Sequence, residues 1–265
     1  MPLRKHKPAL DELLGRYHRP EYIHPDPLML VRRYGRPRDR EVAALVAGLL
    51  AYGRVKQILA SAGGALEAMG PSPARYLRDA PPREIRRRFA GFRHRFQTGR
   101  EFSALLLAVR SVLLECGSLE ACFLAGFREG DATVLPALRA FRNRLDAASG
   151  GVCGHLLPDP ARGSACKRWH LMLRWLVRQD AVDPGGWSAV PARALLVPLD
   201  VHMHRVCYAL GATTRRSPGA AAAEEATAAF RRIAPQDPVR YDFALTRLGI
   251  HPDASLAAFL AQPAA

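Results

Sequence analysis

Lysine is nearly absent from this 265-residue sequence. Of its 39 basic residues, 35 are arginines and only four are lysines, at positions 5, 7, 56 and 167. Arginine keeps its proton and is a poor nucleophile, whereas a desolvated lysine can lose its proton and form a Schiff base. The remaining lysines are therefore candidates for chemistry that arginine cannot perform. Lys5 and Lys7 belong to the N-terminal stretch and need no such explanation, which leaves Lys56 and Lys167 in sequence of helical pattern.

Cysteine motifs and long apolar runs are missing as well. The five cysteines form no C-x-x-C pair, zinc ribbon or four-cysteine cluster motif. We expect reduced, mostly buried thiols, no metal and no other cofactor. No apolar run approaches the roughly 20 residues of a membrane span, and residues 1–14 lack the apolar core of a signal peptide. The expectation is a cytoplasmic protein that uses no membrane.

Acidic residues are scarce relative to basic ones. The chain has 24 of them against 39 basic residues, which gives a formal net charge of +15. A compact protein with this charge is predisposed to bind polyanions, nucleic acid first and anionic membrane second. A genome-wide bias towards arginine could supply much of the excess, so the charge favours nucleic acid without excluding this plainer origin.

No segment shows the alternation of apolar and polar residues that is typical of strands, and no internal repeat is present. Apolar residues instead recur at helical spacing, for example over residues 41–52 and 101–115. Thr98 and Glu101 form the sequence pattern of a capping box before the second of these segments. We predict an all-α fold with more than ten helices, most of them too apolar to lie on the surface.

Residues 91–100, GFRHRFQTGR, combine aromatic and basic side chains. Such interleaving can pack against the backbone of a nucleic acid. Our favoured interpretation is different: Phe92 and Phe96 anchor this segment in the hydrophobic core.

Lys167 lies in a Gly-x-Ala-x-Lys pattern formed by residues 163–167. We predict a turn that leads into a helix over 164–177, where unpaired backbone N–H groups at the positive end of the helix dipole suit a phosphate. The same positive end disfavours an ammonium ion, and nucleophilic attack needs the neutral amine. Taken alone, this motif favours the simpler interpretation of a lysine that points into solvent.

Asp200 precedes a second predicted helix, in residues 197–204, VPLDVHMH. An aspartate N-cap is common and by itself structural. The apolar residues 194–199 would hold the carboxylate partly buried, where it could respond to a cationic transition state. His202 and His204 are two positions apart, so they point to different faces of a helix and are a poor metal pair. One of them could face a cleft, although packing is the simpler role.

These two motifs together resemble those of the helix-hairpin-helix DNA glycosylases. Gly163, Ala165 and Lys167 fall on the hairpin glycines and the nucleophilic lysine, with alanine in place of the second glycine. Residues 197–203 are very similar to the corresponding stretch of the 8-oxoguanine glycosylases, and the long interval before Asp200 is similar to that of the archaeal ones. The wider pattern resembles the uncharacterised bacterial DUF2400 family over nearly the whole chain, in the segments 51–54, 164–168, 173–175, 198–200 and 237–243.

The resemblance implies a single unit over residues 1–265 with two helical lobes and a cleft between them. One lobe would span 40–180, and the other would combine 1–39 with 190–265. The implied function is a base-excision repair DNA glycosylase with AP lyase activity, acting as a monomer on double-stranded DNA that contains a damaged base, an oxidised purine such as 8-oxoguanine. The alternative is a non-catalytic DNA- or RNA-binding helical protein on the same scaffold.

The resemblance also implies roles for individual residues. Lys167 would attack the anomeric carbon of the sugar, and Asp200 would stabilise the cationic sugar as the base leaves. The candidates for DNA contacts are Arg54, Arg162, Gly163, Ser164, Ala165 and Arg168. The candidates for a base pocket are Trp169, His202 and His204. Tyr241 and Asp242 would either touch the cleft or join the last helices together.

Overall fold

The computed structural model describes residues 2–251 and 254–261, and within them the chain is almost entirely helical. The fourteen α-helices of the described residues are α1 Lys7–Tyr17, α2 Leu28–Val31, α3 Pro37–Leu49, α4 Val55–Ala68, α5 Pro73–Asp79, α6 Pro82–Arg88, α7 Gly99–Cys116, α8 Leu119–Leu124, α9 Leu135–Ala148, α10 Lys167–Val177, α11 Val201–Ala209, α12 Ala220–Arg231, α13 Asp242–Arg247 and α14 Leu256–Leu260. The predicted all-α class is confirmed.

Extended structure in these residues amounts to a small antiparallel hairpin and one isolated bridge. The hairpin pairs β1, Arg93–His94, with β2, Gln97–Thr98. Thr98 then caps α7 in the predicted capping box, where its backbone N–H donates to Glu101 at 2.8 Å. A glycine begins α7 because a Cβ at Gly99 would lie 2.2 Å from the carbonyl oxygen of Phe89.

The centre of the molecule is the packing of α3 against α10. Almost every side chain of α3 is buried, which agrees with its nearly continuous apolar sequence. Gly48 allows the close approach, because a Cβ there would lie 3.0 Å from the Cβ of Met172 and 3.1 Å from the carbonyl oxygen of Arg168. This contact fixes the position of α10, the helix that begins with Lys167.

Buried ion pairs tie the other end of α10 to its surroundings. Arg174 donates to Asp183 at 3.0 Å and also to Asp242 in α13, and all three side chains are at most 2% exposed. One turn later Arg178 donates to Asp183 at 3.1 Å and pairs with Asp237 at 3.0 Å. Charges buried in this way are stable only while each one keeps its partners. The network therefore sets the distance between α10 and α13.

The first and last parts of the chain lie together. Tyr241, just before α13, donates from its hydroxyl to Asp11 in α1 at 2.6 Å. Arg247 at the end of α13 donates to the carbonyl oxygen of Tyr22 at 2.5 Å and to Asp26 at 3.1 Å. Helix α2, in contrast, packs on α3 and α4. The proposed division into lobes 40–180 and 1–39 plus 190–265 stays a prediction.

The aromatic segment before α7 differs from its prediction in one residue. Phe92 packs on the core and stacks on Phe102, with ring centroids 3.9 Å apart. Phe96, predicted as a second core anchor, is 59% exposed, and that prediction is wrong. The reason is the tight turn between β1 and β2, which places Phe96 at the tip of the hairpin, outside the core.

Four of the five cysteines are buried and Cys116 is half-buried, and all five are free thiols without a disulfide bond. No helix in residues 2–251 or 254–261 combines the length and the apolar content that crossing a bilayer requires.

Candidate active site

A left-handed turn places Lys167 at the first position of α10. Gly163 has φ 73° and Cys166 has φ 48°, so two of the four residues before the helix adopt the left-handed conformation, which does not continue into an α-helix. The helix therefore begins at Lys167, three residues later than predicted. The amide of Ala220 donates to the carbonyl oxygen of Gly163 at 2.9 Å, which ties this turn to the start of α12.

Asp200 comes to Lys167 from a different helix. It is the N-cap of α11, and its Oδ1 accepts from the backbone N–H of Met203 at 2.8 Å. Its Oδ2 lies 2.8 Å from the Nζ of Lys167. One carboxylate oxygen thus holds the helix while the other contacts the amine. The two residues are brought together by tertiary structure, since 32 residues separate them in the sequence.

The pKa of the Asp200 carboxyl is shifted below its ordinary value by a balance of opposing effects. Partial burial raises this pKa. The charge of Lys167, its hydrogen bond, the hydrogen bond from the Met203 amide and the charge of His202 lower it by more than burial raises it. Asp200 is therefore ionised at neutral pH, and its charge faces the amine.

Lys167 and Asp200 stand in the wall of a cleft with a volume of about 820 Å³. Their side chains are 32% and 36% exposed, so both are reachable from solvent. Residues of seven parts of the chain line the cleft: the segments 25–27, 51–58, 155–158, 164–174, 198–202 and 242–250, and position 218. The volume is within the range of about 300–1,000 Å³ in which ligand pockets usually fall.

Asp242 also lines this cleft, at its buried end. One of its oxygens accepts from Arg174, while Oδ1 is buried without a hydrogen-bond partner in the described structure. Burial raises the pKa of the Asp242 carboxyl more than Arg174 and Lys167 lower it. The sequence left open whether Asp242 reaches the cleft or joins the last helices; it lines the cleft, and its ion pair joins α13 to α10. Tyr241 beside it only joins helices, through Asp11.

The predicted DNA-contacting residues divide between surface and interior. Ser164 and Ala165 line the cleft, while Gly163 is exposed beside them. The side chain of Arg162 is 86% exposed and its Nε is 3.8 Å from Asp159. Arg54 is exposed at the N-cap of α4, directly after the cleft residue Gly53.

Arg168 requires a correction. It is buried, and its guanidinium donates to the carbonyl oxygens of Leu49 at 2.8 Å and His155 at 2.5 Å. It also lies over the Tyr52 ring, 4.9 Å from the centroid. Arg168 therefore supports the cleft from inside, in place of the expected contact with a backbone phosphate. The next side chain on a helix points about 100° away, so Lys167 and Arg168 face different surroundings.

Two of the three candidates for a base pocket also lie elsewhere. Trp169 is fully buried, packs edge-on against Phe141 and donates from Nε1 to the carbonyl oxygen of Pro158 at 2.9 Å. His204 is buried and donates from Nε2 to the carbonyl oxygen of Arg215 at 2.9 Å. Neither residue lines the cleft, and both expectations are corrected: these side chains pack the helices that carry Lys167 and Asp200.

His202 is the candidate that lines the cleft. Its Nε2 is buried and has no hydrogen-bond partner in the described structure. The ring packs on Gly249, where a Cβ would lie 2.1 Å from its Cε1. Within the described residues, no three His, Cys, Asp or Glu side chains are grouped as metal ligands would be. The cleft thus brings the amine of Lys167 together with the carboxyls of Asp200 and Asp242 and the imidazole of His202.

A family model described as a protein of unknown function, DUF2400, matches residues 26–251. The match spans most of the chain, which therefore belongs to this family. No curated protein and no solved structure matches the sequence.

Proposed function

We propose that this member of the DUF2400 family is a base-excision repair DNA glycosylase with AP lyase activity, built on a helix-hairpin-helix glycosylase-like scaffold. Its substrate would be double-stranded DNA that contains an oxidised purine such as 8-oxoguanine. The observation that carries the proposal is the 2.8 Å contact between Lys167 Nζ and Asp200 Oδ2 in the wall of a nucleotide-sized cleft. An amine paired with a carboxylate suits attack by nitrogen on an electrophilic carbon.

The reaction begins when the damaged nucleotide is extruded from the helix into the cleft, because its target carbon is out of reach inside a duplex. As the bond between the base and C1′ breaks, the base leaves with the electron pair and the sugar becomes cationic. The Asp200 carboxylate, ionised at neutral pH, stabilises that positive charge.

Lys167 then forms a bond to C1′. Its ammonium passes a proton to Asp200 Oδ2, which is in direct contact with it, and the neutral amine attacks. Opening of the sugar ring gives a protonated Schiff base between Nζ and C1′, with the ring oxygen left as a hydroxyl. Loss of a proton from C2′ then breaks the bond between C3′ and its oxygen, and the 3′ phosphate leaves.

The surroundings of the pair support a DNA substrate. The turn at residues 163–166 precedes a helix N-terminus, where backbone N–H groups favour phosphate. Arg162 and Arg54 are exposed beside the cleft and suit phosphate contacts. The net charge of +15 favours association with DNA in general.

The alternative is a non-catalytic DNA- or RNA-binding protein on the same scaffold. The observation that favours it is the ion pair itself, since a lysine in such a pair can also contact phosphate. The two functions differ in whether the amine must lose its proton.

Trapping with borohydride separates the two functions. Duplexes that contain 8-oxoguanine, an abasic site or only undamaged bases are incubated with the protein, and borohydride reduces any Schiff base to a stable adduct. We expect an adduct that disappears in Lys167→Ala and Lys167→Arg. Lys56→Arg is the matched control, because Lys56 is exposed on α4 outside the cleft lining. DNA binding without an adduct on any duplex, or an adduct retained in Lys167→Arg, would contradict the proposed function.

A further inference from the structure

The tip of the β1–β2 hairpin presents an open aromatic ring. Phe96 is 59% exposed, the largest exposed fraction among the large apolar side chains of the described residues. Isolated apolar side chains on a surface are common and need no explanation. Phe96 is different because its ring belongs to an ordered stack, with Tyr52 against it and the Arg95 guanidinium 6.0 Å from its centroid, and more than half of the residue is still exposed.

Phe96 is the outermost of three planar groups that pack on one another. The Phe96 ring stacks on Tyr52, with centroids 5.8 Å apart and planes inclined by 29°. Tyr52 in turn lies over the Arg168 guanidinium, 4.9 Å from the ring centroid. His155 contacts both rings edge-on, at 4.9 Å from Phe96 and 5.0 Å from Tyr52. Tyr52, His155 and Arg168 all line the cleft, so the column rises from its wall.

Hydrogen bonds hold the hairpin to the turn between α3 and α4. His94 is buried; its Nε2 donates to the carbonyl oxygen of Tyr52 at 3.1 Å, and its Nδ1 contacts the hydroxyl of Ser61 at 2.9 Å. Arg95 adopts φ 54° and crosses Gly53, where a Cβ would lie 3.0 Å from the arginine side chain. A non-glycine residue at positive φ is strained and persists only where its surroundings hold it. The ring of Phe96 is therefore displayed in a fixed position.

The two segments that meet at this ring are basic, and the nearby carboxylate of Glu101 is engaged by Thr98 in the cap of α7. Residues 51–60 and 91–100, which the hairpin brings together, contain five basic residues and no acidic one. The basic residues are Arg54, Lys56, Arg93, Arg95 and Arg100, and all five are exposed. An open π-face surrounded by cations is complementary to a nucleobase with its flanking phosphates. An acidic peptide would match the charge but would leave the flat apolar face uncovered.

We infer that the exposed ring of Phe96 binds an unpaired nucleobase by stacking, next to the nucleotide that enters the cleft, and that the adjacent Arg95 guanidinium contacts the adjoining phosphate. The inference rests on the proposed function only in taking DNA as the occupant of the cleft. It does not depend on the chemistry of Lys167. Every nucleobase has a π-face, so this site accepts any base that is free of its partner strand.

Fluorescence of Phe96→Trp tests the stacking directly. The three native tryptophans, Trp169, Trp175 and Trp187, are at most 1% exposed, so the introduced indole is the one that a soluble quencher such as acrylamide reaches. We expect a short single-stranded oligonucleotide, or a duplex with an abasic site, to quench this emission and to protect it from acrylamide. Heparin, a polyanion without bases, serves as the control. Equal quenching by heparin, or unchanged emission with DNA bound, would overturn the inference.

Binding of labelled DNA to Phe96→Ala gives the second test. In a Lys167→Ala background, which prevents turnover, we expect the affinity for a duplex with an unpaired base to fall by about tenfold and that for a fully paired duplex to stay unchanged. Leu114→Ala is the matched control, because Leu114 is 51% exposed on α7 outside the cleft lining. An equal loss on both duplexes would contradict the stacking site.

The two proposals can fail separately. If the Phe96 variants change quenching or DNA binding as expected but no borohydride adduct forms, the stacking site stands and the glycosylase function is excluded. If the borohydride adduct forms and no Phe96 variant changes DNA binding or adduct yield on any duplex, the glycosylase stands and the stacking site is excluded. Unfolding of the Phe96 variants in urea shows whether the fold is intact, which we expect since the side chain lies outside the core.

Discussion

The imidazole of His202 occupies the space that a side chain at Gly249 would need. A Cβ at position 249 would lie 2.1 Å from Cε1 of the ring and 2.6 Å from each of its nitrogens. Gly249 follows α13 and His202 belongs to α11, so this contact sets how closely the two helices approach at the cleft. His202 can take its place in the cleft wall only because residue 249 has no side chain.

Gly249→Ala tests this contact. We expect a loss of about 1–3 kcal/mol in the free energy of unfolding, because the ring must move against a packed surface. His202→Ala removes the obstacle, so Gly249→Ala should have little effect in that background. Urea unfolding of the two single variants and the double variant measures the coupling. Additive losses would show that the ring and Gly249 are independent.

Asp200→Asn separates the two tasks of the carboxyl group. Asparagine is as good an N-cap as aspartate, so the α11 cap should persist and only the stabilisation by the Asp200 charge should be lost. Asp200→Ala should lose about 1 kcal/mol more than Asp200→Asn because the hydrogen bond to the Met203 amide also disappears. Both variants should reduce base release by at least about a hundredfold, since the charge that faces the sugar is gone. Base release is measured as strand cleavage at the site that has lost its base, and stability is measured by urea unfolding of the same variants. Comparing the two separates the role of the charge from that of the helix cap.

The stability of the protein should depend on the ionisation of Asp200 in acid. Its pKa is lower in the folded protein than its ordinary value, so ionised Asp200 stabilises the fold above that ordinary value. This contribution is lost as the pH falls through the folded pKa, below about pH 4. In Lys167→Met the main partner is absent and burial remains, so the pKa of Asp200 should rise. Carbon NMR titration of the Asp200 carboxyl measures the shift, and an unchanged pKa in Lys167→Met would contradict the ion pair.

Arg174→Met should be strongly destabilising. It leaves the buried carboxylates of Asp183 and Asp242 without their shared partner, a change that typically lowers stability by about 3–5 kcal/mol. The matched control is Arg75→Met, which breaks an exposed pair with Asp79 and should change stability by less than about 1 kcal/mol. Urea unfolding compares the two. Similar losses in both variants would show that the buried network is not held by Arg174.

Part of the site could be predicted from local sequence. A helix starts near Lys167 and another is capped by Asp200, and both follow from patterns within a few residues. Helix α10 begins three residues later than the local pattern predicts, because Cys166 adopts a left-handed conformation that a non-glycine residue rarely takes. Nothing in the local pattern indicated that the Lys167 and Asp200 side chains touch, and Asp242 was recognised only as one of two open alternatives.

Residue patterns alone thus determined the all-α class, the helical positions of Lys167 and Asp200, and the family resemblance. Tertiary structure decided which side chains reach the cleft: it packed Trp169 and His204 in the interior, engaged the buried Arg168 with backbone carbonyls in the cleft wall, and left Phe96 outside the core. The physical reason is that each step along a helix rotates the side chain by about 100°, so neighbours in one motif face different partners. Which of those faces becomes a cleft depends on distant parts of the chain: α3 packs against α10, and α11 and α13 are joined to it by the ion pairs of Asp200 and Asp242.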